Sequence, residues 1–334
     1  MKILFVGDVM LGRGVNAILK HNPLDYPWGD TLNIFQNADL RICNLECVIS
    51  DIGEPQPGKT FHFRTDPKNV EVLKIARFSP ISIANNHTLD FGTQALEQMT
   101  NTLKKTSINF AGAGENIVEA SMPALENGER NYVGMIAFTD NKPWDYFPSE
   151  NESDWAAGDN TPGIFYVPID LKDHRTKVLF DNIKKVRDDV KVLIVSAHWG
   201  PNWGYEVPKE HIVFAHALIE AGVDIIYGHS AHIFRGIEIY KGKPILYSTG
   251  NFVDDYAVDK IERNDESFIF EINTDEKYRL TQIKLYPTVI RNLQAKMAEG
   301  LEAQRIALKM QDLCTKLQTK SNLLPEERVL QVSF

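Results

Sequence analysis

The segment Ile3-Leu4-Phe5-Val6-Gly7-Asp8 is a short apolar run that ends directly in a carboxylate. A few consecutive apolar and branched residues are typical of a strand that is buried on both faces of an α/β sheet. Ligands of such sheets bind beyond the carboxyl ends of the strands, where the loops converge. The sequence therefore predicts an α/β fold with Asp8 at the ligand-binding edge of its first strand.

Three further apolar runs, at residues 81–84, 192–195 and 224–227, have the same form. The loops after them carry Asn85, Asn86, His87, His198, Trp199, His229 and His232. In a fifth segment, residues 43–47, apolar and polar residues alternate, as in a strand with a period of two. We expect Asn44 and Glu46 to face the site, and Cys43, Leu45 and Cys47 to face the core. We expect all these polar groups to meet at one edge of the sheet.

Carboxylate, amide and imidazole groups together form a donor set for a divalent cation such as Mn, Fe or Zn. The sequence supplies donors for one or two ions, namely Asp8, Glu46, Asn86, His198, His229 and His232. Water bound to such an ion has a pKa near neutrality, so no side-chain base is needed to generate a nucleophile. His87 is then free to donate a proton to a leaving group.

Composition restricts the classes of function. The chain has 334 residues and a net charge of −9, which argues against binding to nucleic acid or to acidic membrane surfaces. The sequence contains no apolar stretch of membrane-spanning length and no signal peptide, so we expect a cytoplasmic protein. Three cysteines do not form a disulfide framework, and Cys43 and Cys47 are predicted to be buried small apolar residues rather than a metal pair.

Alternating strands and helices predict one domain over residues 1–290, followed by a C-terminal helical extension over residues 291–334. The segment from about 139 to 163 is rich in Pro, Trp, Asp and Asn, and we interpret it as an insertion beside the cleft. Residues 268–273 and 280–286 alternate and are predicted to pair as antiparallel strands. Four other histidines match no motif and are predicted to lie outside the site: His21, His174, His211 and His216.

Taken in order, these motifs resemble the CapA family of poly-gamma-glutamate capsule-synthesis proteins, which is related to calcineurin-like metallophosphoesterases. The resemblance covers roughly residues 1–255, and several motifs in the right order are more specific than any one alone. It implies a four-layer α/β/β/α sandwich. The matching motifs lie at residues 7–10, 44–46, 63–67, 84–87, 198–200, 228–232 and 247–252.

The resemblance also implies a role for each matching residue. It makes Asp8 and His232 ligands of a first metal and Glu46 the bridging carboxylate, and it makes His87 the catalytic acid. The second metal would be held by Asn86, His198 and His229. The phosphoesterase pattern has a histidine where this chain has Met10, an aspartate in place of Glu46, and a spacing of two rather than three between its last two histidines. CapA-like sequences share these departures, which therefore indicate that branch.

Substrate contacts are predicted from charge and shape. Arg13 and Arg64 could hold an anionic group bidentately, or could form ordinary surface ion pairs. Trp199, with Trp203 and Tyr205, could form a wall of the cleft, although aromatic residues beside a loop are as often simple packing. Asn44 faces the site beside Asp8.

The leading hypothesis is a metal-dependent hydrolase that acts on an anionic small molecule or polymer, either a phosphoester or a gamma-glutamyl amide. The competing hypothesis is a non-catalytic, metal-stabilised module that binds an anionic polymer within a synthesis or export assembly with protein partners. A binding module needs no free imidazole at His87, so this residue discriminates between the two.

Overall fold

A computed structural model describes residues 1–127, 132–141, 155–324 and 328–334 of the chain. Its strands in chain order are β1 (Lys2–Val9), β2 (Leu40–Leu45), β3 (Val48–Ile49), β4 (Arg64–Thr65), β5 (Ile81–Ser82), β6 (Phe110–Ala111), β7 (Ala113–Gly114), β8 (Ala124–Asn127), β9 (Tyr132–Thr139), β10 (Gly163–Ile164), β11 (Val192–His198), β12 (Ile225–His229), β13 (Ile237–Tyr240), β14 (Lys243–Leu246), β15 (Asn251–Val253), β16 (Glu266–Thr274), β17 (Leu280–Arg291), β18 (Gln294–Met297), β19 (Ser321–Leu324) and β20 (Val329–Val332). The helices are α1 (Arg13–Ile18), α2 (Leu32–Phe35), α3 (Val70–Ile75), α4 (Gly92–Lys105), α5 (Ile117–Ser121), α6 (His174–Arg187), α7 (Lys209–Glu220) and α8 (Gly300–Lys316).

Two large sheets form the centre of the fold. The larger sheet has the order β19-β20-β17-β16-β1-β2-β5-β6, with β15 also paired to β1 and β18 to β17. The smaller sheet has the order β13-β14-β12-β11-β9-β8. Strands β1, β2, β5, β6 and β15 pair in parallel, as do β9, β11, β12 and β14. The parallel strands form one half of the larger sheet and the centre of the smaller sheet.

The side chains of each strand alternate between two apolar layers. Ile3 and Phe5 of β1 pack in one cluster with Ile194 of β11 and Tyr227 of β12, so the inner faces of the two sheets lie against each other. The outer face of the larger sheet packs on α3 and α4, and the outer face of the smaller sheet packs on α6 and α7. The predicted four-layer α/β/β/α arrangement is therefore confirmed.

Strand register brings the predicted site residues to one edge. Asp8 on β1 is level with Asn44 on the neighbouring β2, and on its other side it is level with Asn251 on β15. In the smaller sheet, His198 at the end of β11 is level with His229 at the end of β12. Because these pairs are parallel, their polar residues leave the sheets at the carboxyl ends.

The two alternating runs after residue 265 pair as predicted. Strands β16 and β17 are antiparallel, from Glu266 opposite Val289 to Thr274 opposite Leu280. The predicted insertion at 139–163 lies partly outside the described residues, which omit 142–154. Within its described part, Trp155 is buried and Gly163 begins β10, which pairs with β7. Its position beside the cleft stays a prediction.

The segment after residue 290 differs from the predicted helical tail at both ends. Asn292 and Leu293 have positive φ angles of 54° and 62°, and the chain folds back from β17 into β18 through them. A two-residue turn with positive φ at both positions suits the twist of a hairpin. The helix α8 begins only at Gly300, and β19 and β20 then extend the larger sheet beside β17. The prediction of helix from residue 291 was therefore wrong outside α8.

Helix α8 is an integral part of the core. Its residues Ile306, Met310 and Cys314 are fully buried and belong to the apolar cluster that lies between the sheets. The last third of the larger sheet extends past the smaller sheet, and α8 covers the inner face there through contacts with β13, β17 and β20. The segment is thus packed like the rest of the fold, and a domain boundary near residue 290 stays a prediction.

Candidate metal centre

Asp8, His198 and His229 form a buried three-residue group that could hold a metal ion. One potential ligand atom from each residue lies within 4.8 Å of the other two. His198 Nδ1 lies 2.8 Å from His229 Nδ1, and Asp8 Oδ1 lies 3.6 Å from the same atom of His229. The structure therefore brings together one donor from the larger sheet and two from the smaller sheet.

Hydrogen bonds to the far sides of the imidazoles orient them. His198 Nε2 lies 3.0 Å from Asn86 Oδ1, which can only accept, so His198 carries its proton on Nε2 and presents a lone pair on Nδ1. His229 Nε2 lies 2.8 Å from Ser196 Oγ. The two Nδ1 atoms thus face each other at a distance that requires a proton or a cation between them. The donor set fits a divalent ion with mixed nitrogen and oxygen ligands.

The imidazoles of this group are neutral near pH 7. Burial lowers the pKa of His198 well below its usual value, and the neighbouring histidines lower it further. Burial alone lowers the pKa of His229 to about 3. A metal ligand must offer a lone pair, so neutral imidazoles suit metal binding.

Two asparagines support the carboxylate of Asp8. Asn44 Nδ2 donates to Asp8 Oδ1 at 2.8 Å and lies 3.4 Å from His198 Nδ1. Asn85 Nδ2 in turn donates to Asn44 Oδ1 at 3.1 Å, which fixes the amide of Asn44. Asn44 was predicted to contact substrate, but it is fully buried and its contacts are with Asp8 and His198. Its place is behind the metal group rather than on the cleft surface.

Glu46 lies beside Asp8, as the alternation of β2 predicted. Burial raises the pKa of Asp8 to about 6 and raises that of Glu46 well above its usual value, and the two carboxyls also interact directly. Glu46 Oε2 is buried without a hydrogen-bond partner among the described residues. Two adjacent buried carboxylates cost free energy unless a cation or proton neutralises them, so Glu46 also fits a metal-ligand role.

His87 occupies the cleft side of Glu46. Its Nε2 atom lies 3.8 Å from Glu46 Oε1, and its Nδ1 atom lies 2.8 Å from Asp90 Oδ2. The ring packs on Phe63 with centroids 4.0 Å apart. Lys59 donates to Asp90 Oδ1 and to the Asn86 carbonyl oxygen, and its ammonium lies 3.3 Å from His87 Nδ1. The imidazole is therefore held in one orientation with Nε2 toward the metal group.

The sequence did not lead us to expect two of the residues that make these contacts, Asp90 and Lys59. Asp90 stands three residues after His87, a spacing that brings two side chains together within a turn. Burial of Asp90 would raise its pKa, yet His87 and Lys59 hold the pKa below its usual value. The spacing of His87 and Asp90 was the available signal. No pattern around Lys59 predicts its place in the site, which it reaches from a loop 28 residues before His87.

An open cleft of about 510 Å³ borders His87 and His232. Its lining includes the cations Arg13 and Lys59 and the aromatic residues Phe61, Phe63, Trp203 and Tyr256. Arg13 forms an ion pair with Asp255, with Nη2 3.0 Å from Oδ1. His232 faces this cleft and its Nδ1 atom lies 3.1 Å from Asn251 Oδ1, outside the compact group of Asp8, His198 and His229.

Arg64 and Trp199 do not line the cleft. The Arg64 guanidinium stacks on Phe91 at 4.0 Å and donates to the Gly53 carbonyl at 3.3 Å. Trp199 is fully buried, and its Nε1 donates to the Tyr247 carbonyl at 2.9 Å. Alternation along β11 explains its place, because the residue after His198 turns to the outer face of the smaller sheet. The predicted cleft wall is instead formed by Trp203, which is 45% exposed.

Two residues of the sequence patterns belong to the core. Cys43 and Cys47 are buried free thiols within the apolar cluster of the larger sheet, as predicted. Met10 is also buried there, and its sulfur accepts a hydrogen bond from the Gly12 amide at 3.1 Å. The side chain that replaces a histidine of the phosphoesterase pattern is therefore a packing residue.

Several known proteins with similar sequences are named for capsule, PGA or polyglutamine synthesis. The chain is 35% identical over 294 residues to a Mycobacterium tuberculosis protein named as a polyglutamine synthesis accessory protein, covering 76% of this chain and 74% of that one. It is 29% identical over 253 residues to the PGA biosynthesis protein CapA of Bacillus subtilis, covering 75% of this chain and 62% of the relative. The Bacillus anthracis capsule biosynthesis protein CapA is 28% identical, with 76% and 60% covered.

A solved structure supports the fold. A Staphylococcus aureus protein described as a 5'-nucleotidase, in complex with alpha-ketoglutarate, aligns with 93% of this chain and 58% of its own, with a TM-score of 0.50 and 15% identity. Among the described residues, no helix combines the length and apolar character needed to cross a bilayer. The family model for bacterial capsule synthesis protein PGA_cap matches residues 2–256, and the chain belongs to this family.

Proposed function

We propose that this protein takes part in capsule or poly-gamma-glutamate synthesis as a metal-dependent hydrolase that acts on an anionic substrate. The observation that carries the proposal is the buried group of Asp8, His198 and His229, together with the His87–Asp90 pair, of which His87 lines an open cleft. The names of the relatives support the biological setting. The substrate would be a phosphoester or a gamma-glutamyl amide.

The metal group would consist of Asp8, His198 and His229, with Glu46 beside it. A divalent cation such as Mn, Fe or Zn would polarise a phosphoryl or carbonyl oxygen and neutralise negative charge in the transition state. Asn44 and Asn86 keep the carboxylate and the imidazole in position through the 2.8 Å and 3.0 Å contacts described above. The chain thus supplies both the ligands and the groups that orient them.

His87 would donate a proton to the leaving group. Burial lowers its pKa to about 4, while the charge of Asp90 opposes this shift. An anionic substrate beside the ring would raise the pKa again, because a nearby negative charge favours the imidazolium. The protonated Nε2, which points toward Glu46 and the metal group, could then protonate a leaving group held there, while Asp90 holds Nδ1.

Local positive charge would attract the substrate to a protein whose net charge is −9. Lys59 and Arg13 both line the cleft, and each is held in place by a carboxylate. The exposed aromatic side chains Phe61 and Trp203 line the same cleft and offer apolar contact to the part of the substrate that does not react.

Replacement of His87 by Ala tests the proposal. The variant should keep the metal content of the wild type, measured by elemental analysis, while turnover of a generic phosphodiester or shortening of poly-gamma-glutamate falls by roughly 10² to 10⁴-fold. His21→Ala is the matched control, because His21 is exposed and belongs to none of the motifs. Metal-loaded wild-type protein that acts on neither substrate class, with His87→Ala binding the polymer equally well, would support a binding module instead.

A further inference from the structure

Residues 200–205 form a segment that carries Trp203 to the wall of the cleft. Gly200 and Gly204 have positive φ angles of 78° and 91°, and no helix or strand lies between them. Trp203 lines the cleft, and its ring centroid lies 5.6 Å from that of His232. Because Trp203 belongs to none of the apolar clusters of the core, its position depends on how the backbone of this segment is held.

Arg235 bonds to the backbone of this segment at three points. Its Nε atom donates to the Gly204 carbonyl at 2.9 Å, and its Nη2 atom donates to the carbonyls of Pro201 at 3.0 Å and Trp203 at 3.2 Å. The side chain of Arg235 is buried, so water does not compete for these bonds. A guanidinium presents its donors in a fixed planar arrangement, which suits several carbonyls at once.

The main chain of Trp203 depends on Arg235. Among the residues that the structure describes, Arg235 is the one group that forms a hydrogen bond with the Trp203 main chain. The start of the segment has a separate contact, because the Gly200 amide donates to Asp140 Oδ1 at 3.0 Å. Arg235 is itself fixed, since its amide donates to the Ser248 carbonyl at 3.0 Å. The guanidinium therefore links Trp203 to a fixed part of the fold.

The cleft that Trp203 borders combines charge with apolar surface. Lys59 and His87 belong to its lining, together with the exposed ring of Phe61. A ligand that fills the cleft would meet a cation with its charged part and aromatic rings with its apolar part. The position of Trp203 then affects the apolar contact and leaves the contact with Lys59 unchanged.

We propose that Arg235 is a positioning residue for Trp203 and thereby sets the selectivity of the cleft for anionic ligands that carry an apolar group. Removal of the guanidinium would leave the Trp203 carbonyl without its bond and would release the segment between the two glycines. The indole would then lose its place beside His232. The inference rests on the proposed function for the role of the cleft as a ligand site, but the position of Trp203 can be measured without turnover.

Fluorine NMR of protein labelled with fluorotryptophan tests the position of Trp203. The resonance of this residue is identified by its loss in Trp203→Phe. Arg235→Met should shift or broaden this resonance, while that of the buried Trp155, assigned in the same way, should stay in place. Arg41→Met is the matched control, because Arg41 is also buried and donates to the Phe35 carbonyl at 2.7 Å, but lines no part of the cleft.

Calorimetric titration of Mn²⁺-loaded protein with two phosphonates tests the selectivity. Phenylphosphonate carries an aromatic group beside its anion, and methylphosphonate does not. The wild type should bind phenylphosphonate more tightly. Arg235→Met and Trp203→Ala should each raise the Kd of phenylphosphonate by roughly 5- to 10-fold, the size of one aromatic contact, and leave that of methylphosphonate unchanged. The double variant should lose no more than either single variant, because both changes remove the same contact.

The outcomes decide the matter in both directions. An unmoved Trp203 resonance in Arg235→Met, an equal shift in Arg41→Met, or a wild type without preference for phenylphosphonate would overturn the inference. If Arg235→Met does not fold, Arg235→Lys decides, because it keeps the charge and loses the planar arrangement of donors. A shifted resonance with weaker phenylphosphonate binding then supports positioning, and an unmoved resonance contradicts it.

The inference and the proposed hydrolase fail separately. A protein that turns over substrate while the Trp203 resonance stays unmoved in Arg235→Met would refute this inference alone. A protein with the expected shift and the expected phosphonate selectivity, but without turnover of either substrate class, would refute the proposed hydrolase alone.

Discussion

His87 lies between two carboxylates, with Nδ1 2.8 Å from Asp90 Oδ2 and Nε2 3.8 Å from Glu46 Oε1. Asp90 is itself fixed by the Phe63 amide, which donates to Oδ2 at 2.6 Å, and by Lys59. A carboxylate in this position selects the tautomer of the imidazole and stabilises its protonated form. Asp90 is therefore expected to act through His87.

Replacement of Asp90 by Asn should lower kcat/KM by about 100-fold while the metal content stays unchanged. Asp90 raises the pKa of His87, so its removal should lower that pKa further. An activity that needs the imidazolium should then be lost at lower pH, and the alkaline limb of the pH profile should move toward acid. Lys59→Met offers a comparison, because it removes a positive charge that lowers the pKa of His87. The alkaline limb of the pH profile should then move toward higher pH. An unmoved limb in Asp90→Asn would contradict the pairing.

Trp199 and Trp203 provide a second contrast between neighbouring residues. Trp199→Phe should destabilise the protein by about 1–3 kcal/mol, because it removes the buried bond from Nε1 to the Tyr247 carbonyl. The KM of correctly folded enzyme should stay the same. Trp203→Phe should leave the free energy of unfolding within about 0.5 kcal/mol, as expected at an exposed position. Urea denaturation and substrate titration of both variants measure the two effects, and a raised KM in Trp199→Phe alone would return this residue to the cleft.

Sequence reasoning located residues whose position follows from alternation and from strand ends. Asn44 and Glu46 face the site because β2 has a period of two, and His198 and His229 end their strands. Asp90 was missed because a carboxylate in a loop has the same local pattern whether it is solvated or buried. Its burial depends on what the rest of the chain packs over it, and local sequence does not contain that information.

At the scale of elements, the parallel strands of each sheet were predictable and the antiparallel strands were partly so. The apolar runs at β1, β11 and β12 show the composition of strands buried on both faces. Strands β18, β19 and β20 are short and half polar, and they exist because they pair with β17 or with each other. Such non-local pairing gives a weak sequence signal, so residues 291–299 were assigned to a helix.

Helix α8 should behave as part of the core. Ile306→Ala removes a fully buried side chain from the cluster between the sheets and should destabilise the protein by about 2–5 kcal/mol. Leu301→Ala, on the same helix but with its side chain 84% exposed, should change the free energy of unfolding by less than about 0.5 kcal/mol. Chemical denaturation followed by circular dichroism measures both. Equal stabilities of the two variants would mean that α8 is an independent tail.

For the whole molecule, the site contains residues from both sheets. We therefore expect the free energy of unfolding to depend on pH and on a bound metal ion. Burial raises the pKa of Asp254 to about 8 and that of Glu46 well above its usual value. A carboxyl whose pKa is raised in the folded state favours folding at low pH, and this contribution is lost as the pH rises toward the folded pKa. Above about pH 7.5 nearly all of the imidazole groups are neutral in both the folded and the unfolded state, so the carboxyls dominate the trend there.

Metal-free protein should therefore lose stability between about pH 7.5 and 9, while Mn²⁺-loaded protein should not, because the cation stabilises the ionised carboxylates. The difference in Tm between the two forms should widen as the pH rises. Differential scanning calorimetry with chelator-treated and reloaded samples measures it. A difference in Tm that is constant over this range would argue against carboxylates at the metal site.

The central claim about the molecule is that one cation is bound by groups from both sheets. Anomalous diffraction from crystals soaked in Mn²⁺ would locate it without reference to any reaction. The account predicts a peak within roughly 2.0–2.3 Å of an Asp8 oxygen and of one nitrogen each from His198 and His229. Soaked crystals without a peak at these three residues, or with a peak that contacts only one of the two sheets, would contradict it.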